Sequence, residues 1–450
     1  MKWFLLLLLV SCSLYSVAQT DNYLIRAGKL FDSETGRFLT GRVVLVKGRT
    51  IEAVKEEAAL TAAEKSTFSR VVDLSAYAVM PGLIDCHTHL LYREKVYPRQ
   101  MELEGAVDMS RMLTLEGDAY RAVYGTARAK GYLENGITSV QDLGNSGLFA
   151  DVALRRGIEE GLVPGPRMRC SGPGLSTEGG QLPGLLHKHR HLAADEYRVV
   201  TSAADGIQAV RENLTQGASV IKIFANNTPN NTMLSRAEIE AIVQEAHRYG
   251  VRVTAHATSN TAVWTAVMAG VDGIEHGYQI ADSTMELMAR RGTVWVPTFG
   301  DSAQYAEYIS MANLGNTEEL KAIPQIVSGF QQYRTALLKR GRQKGLLIAA
   351  GSDDYLDVSF PMGETSKRNL IGYVEAGVPL PEVLQWATRN AAKQLAWEGK
   401  IGVLKKGAWA DIVAFDTSLD TNINALLQTH FVMKGGKIYV GAEHVKGASR

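Results

Sequence analysis

Cysteine is scarce in this chain, with three in 450 residues. That number excludes a disulfide framework even in an oxidising compartment. One of the three, Cys12, lies in an apolar leader. A chain beginning at Gln19 would keep only Cys86 and Cys170, and a structural thiol is expected at both. Charge of one sign is also lacking: Lys and Arg number 48 against 47 Asp and Glu, a formal net charge of +1. Such balance argues against the broad basic footprint of a nucleic-acid binder and favours small, roughly neutral substrates. Beyond the leader, no apolar run is long enough to span a bilayer.

What is present begins with an export signal. Met1-Lys2 is a short basic start, Trp3 to Val10 is apolar but too short to cross a membrane, and Ser16-Val17-Ala18 is a small-residue cleavage pattern. Residues 1–18 therefore read as a signal peptide, and the mature protein as periplasmic or secreted. Leu9-Val10-Ser11-Cys12 is a competing lipoprotein-type box that would anchor the chain through a lipid on Cys12.

The body of the chain alternates strand-like and helix-like segments. Short apolar runs at 82–87, 137–143, 167–171, 219–225, 251–257, 273–276, 293–298 and 346–352 suit buried parallel strands. Between them lie helical periods, clearest at 235–249, where Ser235 and Glu238 form a capping-box pattern and Gly250 supplies a stop. Eight such units predict an α/β fold of the (β/α)8 TIM-barrel type over residues 80–396, with longer insertions after strands one, three and seven. Residues 19–79 and 397–450 alternate in a β manner instead. Neither stretch can build a core alone, so a small β-sandwich formed from both terminal segments is expected.

On that scaffold the chemistry-bearing residues fall at strand ends. His87 and His89 close strand one, Lys222 lies on strand four, His256 closes strand five, His276 closes strand six and Asp353 follows strand eight. All six would meet at the C-terminal mouth of the barrel, where this fold builds its active sites. His87 and His89, two apart, share a strand face and can ligate one ion together. Lys222, inside Val220-Ile221-Lys222-Ile223-Phe224, is costly to bury as a bare ammonium. A lysine snorkelling to the rim is the plain alternative. Reaction with CO2 would instead turn it into a carbamate whose two oxygens bridge a pair of metals. Imidazole with carboxylate suits Zn2+ first, with Mn2+, Co2+, Fe2+ or Ni2+ as alternatives.

These residues resemble the amidohydrolase superfamily, and within it exported relatives of imidazolonepropionase and of metal-dependent Xaa-Pro dipeptidases. The resemblance rests on Met80-Pro81-Gly82-Leu83-Ile84-Asp85-Cys86-His87-Thr88-His89, Ile221-Lys222-Ile223, Ala255-His256-Ala257, Ile274-Glu275-His276-Gly277 and the late Gly407-Ala408-Trp409-Ala410-Asp411. It implies that His87, His89 and Asp353 hold one divalent ion, that His256 and His276 hold another, and that N6-carboxylated Lys222 bridges them. It further implies a metal-bridging hydroxide attacking an amide carbonyl, with Asp353 as the catalytic proton carrier. A dipeptide of the Xaa-Pro type or an N-acyl amino acid is the expected substrate. Alternatives are a cyclic-amide hydrolase like imidazolonepropionase, or an inactive metal- or ligand-binding protein on the same barrel. Imidazolonepropionases proper have no carboxylated lysine, and many dipeptidase-like relatives carry Gly-Gly-His where this chain has Gly179-Gly180-Gln181.

Four further residues or groups have ordinary readings. Tyr278 could donate to substrate or simply pack. Asp85 could orient a ligand or make a strand-end hydrogen bond. His187-Lys188-His189-Arg190-His191 mixes imidazoles with cations, which repel metal, and reads as a solvated loop or as a lid meeting a substrate carboxylate. His247 is expected on the surface of its helix.

Overall fold

Capping chemistry and strand period translate directly into the computed structural model, which describes residues 22–68, 70–94, 113, 115–182, 186–227, 232–313 and 316–446. The expected signal peptide and Cys12 lie outside the described residues. The helix Arg236–Arg248 starts on Ser235, whose hydroxyl accepts from the Glu238 amide while the Glu238 carboxylate accepts from the Ser235 amide. Helices Asn260–Ala269 and Asp282–Arg291 stop at Gly270 and Gly292, both in the left-handed conformation that glycine adopts without strain.

Parallel strands form two sheets. One orders Tyr197–Val199, Gly174–Ser176, Ile221–Phe224, Val253–Ala257, Gly273–His276, Val294–Val296 and Leu347–Ile348; the other joins Leu83–Thr88, Ile137–Asp142 and Arg167–Cys170. Each of the eight expected runs contains a strand. Gly174–Ser176 and Tyr197–Val199 are not expected from the sequence: three-residue strands carry no periodicity, and tertiary pairing creates them, Leu175 with Ile223 and Tyr197–Val199 with Gly174–Ser176. The two sheets touch at both ends, where the Ser219 amide donates to the Cys170 carbonyl (2.8 Å) and the Cys86 amide to the Ala350 carbonyl (2.9 Å).

The insertion after Val294–Val296 consists of helices Ser302–Ala312 and Thr317–Gln343. Cys86 faces away from the imidazoles, as its strand parity requires, and packs with Ile84, Val294, Val296 and Ala391. Cys170 is likewise a buried free thiol.

The terminal segments are joined in one nine-stranded sheet. Its seam is the strand Arg70–Pro81, which pairs in parallel with Asn22–Asp32 and antiparallel with Ile412–Asp416. Residues from both ends of the chain share a core there, among them Ile25, Val44, Val72, Ile412 and Phe431. Among the described residues no helix is long and apolar enough to cross a membrane.

Candidate active site

Strand ends bring the expected polar residues together. The Nε2 atoms of His87 and His89 lie 3.4 and 3.2 Å from Asp353 Oδ1. Lys222 Nζ is 3.4 Å from His87 Nε2. His276 completes a group in which one ligand atom each of His87, His276 and Asp353 lie within 4.8 Å of one another. The His256 ring is 4.6 Å from that of His276, centroid to centroid.

Glu275 carries no expected role in the sequence pattern. Its carboxylate meets His87 Nδ1 at 2.7 Å and accepts from the Thr254 hydroxyl at 2.5 Å. Burial pushes it up to about 7, against the pull of Lys222. Strand alternation would send neighbours Glu275 and His276 to opposite faces. His276 escapes that rule by taking a left-handed φ of 67°, and Asp353 does likewise at 55°. Non-glycine residues hold such angles at a cost of about 1–3 kcal/mol, and they cluster at functional sites.

The loop carrying Asp353 is clamped on both flanks. Asp85 accepts from the amides of His87 and Ser352, both at 3.0 Å, and from the hydroxyls of Ser352 and Ser366 at 2.6 and 2.5 Å. It thus makes strand-end hydrogen bonds that tie strand one to strand eight, and burial raises its pKa to about 6. On the other side Asp354 is paired with buried Arg128 at 2.9 Å and accepts from the Tyr132 hydroxyl at 3.0 Å.

These contacts fix the imidazole tautomers. The Gly144 carbonyl can only accept, so His89 gives it the Nδ1 proton across 2.9 Å. His87 likewise commits Nδ1 to Glu275. Both Nε2 lone pairs then face an oxygen of Asp353. Lone pairs aimed at a carboxylate repel unless a cation lies among them. The two Nε2–Oδ1 separations are close to one edge of a tetrahedral ligand shell with ~2.0–2.1 Å bonds, about 3.3–3.4 Å. Burial, reinforced by nearby cationic groups, holds His87, His256 and His276 well below the usual imidazole value, in the neutral form that binds metal. His256 Nε2 is buried with no hydrogen-bond partner among the described residues. The residues therefore fit divalent metal.

Lys222 is 1% exposed. Burial lowers it to about 8, opposed by Glu275 and Asp353. A sizeable uncharged fraction near neutral pH is the state in which an amine reacts with CO2.

Tyr278 is half-buried beside His276, its hydroxyl 2.9 Å from Thr298 Oγ1, which also meets His276 Nδ1 at 2.8 Å. Gln181 reaches the Asn226 carbonyl at 3.2 Å, across the mouth. His187, Lys188, His189, Arg190 and His191 are all exposed. His247 is at the surface, 2.9 Å from Asp272.

With this geometry in place, kinship decides the class. Residues 78–439 match the amidohydrolase family. The chain belongs to it. Ochratoxinase of Aspergillus niger is 26% identical across 94% of this chain and 88% of its own length. Imidazolonepropionase of Thermoanaerobacter pseudethanolicus is 24% identical, with 83% of each chain covered. A Xaa-Pro dipeptidase with methionine bound in its active site superposes with a TM-score of 0.76 at 26% identity, over 94% of this chain and 100% of that one. This amidohydrolase is accordingly a TIM-barrel-like α/β protein, and a metal-dependent hydrolase of carbon–nitrogen bonds.

Proposed function

We propose that His87, His89 and Asp353 hold one divalent ion and His256 and His276 a second, with N6-carboxylated Lys222 between them and Zn2+ as the metal. The observation that carries this reading is the convergence of two Nε2 lone pairs on one carboxylate oxygen, beside a buried lysine. Bound there, a divalent pair would supply a Lewis acid for the carbonyl and lower the pKa of water. The protein's own residues do the rest. Glu275 and the Gly144 carbonyl hold the two strand-one imidazoles in one tautomer and orientation. Asp353, kept ionised and fixed by Asp85 and Arg128–Asp354 on either flank, is placed to take the proton of the attacking water and return it to the leaving nitrogen. Tyr278 stands beside His276 as a substrate contact.

The substrate class is a small amide: a Xaa-Pro dipeptide or an N-acyl amino acid. The Xaa-Pro dipeptidase neighbour and a prolidase bound to N-methylphosphonate-L-proline (27% identical, TM-score 0.76, over 93% of this chain and 99% of that one) support it, as does ochratoxinase. The contacts between the two parallel sheets support closure into one eight-stranded barrel, and the core shared by the terminal strands supports a sandwich. Cleavage before Gln19 would place the enzyme in the periplasm or outside the cell, and N-terminal sequencing of the mature chain separates this from a lipid anchor at Cys12.

Metal analysis coupled to a screen of dipeptides and N-acyl amino acids tests the assignment. Lys222→Ala should lose bound metal. Asp353→Asn should lower kcat by about 10²–10⁴. Hydrolysis unchanged in Asp353→Asn overturns the mechanism.

A further inference from the structure

At the opposite end of the strands from the imidazoles lies a cavity of about 280 Å³, lined among others by Arg169, Ser219, Arg252, Gln394 and Tyr249. Arg252 immediately precedes the strand that carries His256 near its other end.

Among the described residues its two arginines form no ion pair. Arg167, two residues from Arg169, is held by both oxygens of Asp411 at 2.9 and 3.0 Å. Arg169 instead gives Nε to the Leu395 carbonyl (3.0 Å) and stacks 4.4 Å from the Trp397 ring. Burial, with Arg155 nearby, presses its pKa down, as expected of a cation without a neutralising partner. Arg252 gives one NH2 to the Asp272 carbonyl (3.3 Å), and its buried Nε has no partner among the described residues. Among the described residues no carboxylate pairs with either guanidinium.

The neutral groups add direction. Ser219 Oγ receives the Cys170 amide and an Arg155 N–H, both at 3.1 Å, which leaves its own hydrogen to donate. Gln394 is 1% exposed and its Oε1 has no partner among the described residues. The orientation of that amide follows from its neighbours: Thr254 has a single hydroxyl hydrogen, which goes to Glu275, so Gln394 must turn its NH2 towards Thr254 (3.4 Å) and its oxygen away. The cavity therefore offers two guanidiniums and a hydroxyl donor, together with one buried acceptor.

We infer that this basal cavity binds hydrogen phosphate, whose oxygens accept from Arg169, Arg252 and Ser219 while its remaining O–H donates to Gln394 Oε1. Sulfate has the same shape and no proton to give, so it would leave the Gln394 oxygen facing an anionic one.

The test follows the thermal midpoint of the metal-loaded full chain at pH 7 and constant ionic strength, with phosphate or sulfate replacing chloride. Phosphate should raise it saturably, with an apparent affinity about tenfold or more above that of sulfate. Arg252→Gln, and Tyr249→Glu, which sets a carboxylate at the exposed rim, should each weaken phosphate about tenfold or more. Amide hydrolysis without phosphate should stay unchanged in both variants. A wild-type midpoint blind to phosphate, a sulfate response equal to it, or variants that respond like wild type would each overturn the proposal; the last would place the anion at the metal centre instead.

Discussion

Glu275 shows how a residue can govern a site without being obvious in it. It stands in the Ile274-Glu275-His276-Gly277 run, and alternation assigns it the face opposite His276. It reaches His87 from the regular strand, and His276 joins the same site because its own backbone turns left-handed. Removing its charge should loosen the His87 ring and weaken its basicity. Glu275→Gln is expected to cost about 10–100-fold in metal affinity or activity. Chelator competition against kcat/KM measures both, and unchanged metal retention would show that the contact is incidental. Lys222 and the imidazoles were legible because burying such groups without compensation is expensive, so their presence in apolar runs signals use. Thr298 and Gly144 were not legible: a hydroxyl and a backbone carbonyl acquire their roles only from position.

Strands and helices make the same division at the next scale. Helix Arg236–Arg248 is written locally, in a cap, an apolar period and a stop. The strands at Gly174–Ser176 and Tyr197–Val199 are not, since their pairing partners supply the structure. The loop after Leu347–Ile348 is an intermediate case. Gly351-Ser352-Asp353-Asp354 marks it as polar, yet only tertiary packing sets Arg128, from the helix Asp118–Glu134, against Asp354. Breaking one partner of a buried pair strands a charge, at about 3–5 kcal/mol. Asp354→Asn should therefore lower the melting temperature and reduce kcat with bound metal retained. A variant with wild-type kcat would show that the clamp serves stability alone.

Across the whole molecule, buried cations set a stability cost that depends on pH. Lys367 is fully buried in the helix Glu364–Glu375, donates to Thr429 Oγ1 at 3.2 Å, and is lowered by burial from 10.5 to about 8. Between pH 8 and 10.5 the unfolded chain binds the extra proton, so this group makes stability rise with pH across that window. Below pH 8 its penalty is complete and constant, at about 3 kcal/mol before relaxation. Lys367→Met should raise the melting temperature at pH 7 and flatten the slope between pH 8 and 10 relative to wild type. An unchanged slope would mean that Lys367 stays charged in the folded protein.

Composition, period and residue spacing by themselves determined an α/β chain with repeating strand–helix units, the eight strand positions and the six polar residues at their ends, because those signals are local or repeat at a fixed interval. The tertiary structure alone decided which lone pairs meet, that Glu275 joins His87, that Arg70–Pro81 seams the two termini, and that Arg169 and Arg252 have no carboxylate partner among the described residues. Each of these depends on contacts between residues far apart in the chain or on a backbone angle that packing enforces, and neither leaves a periodic trace in the sequence.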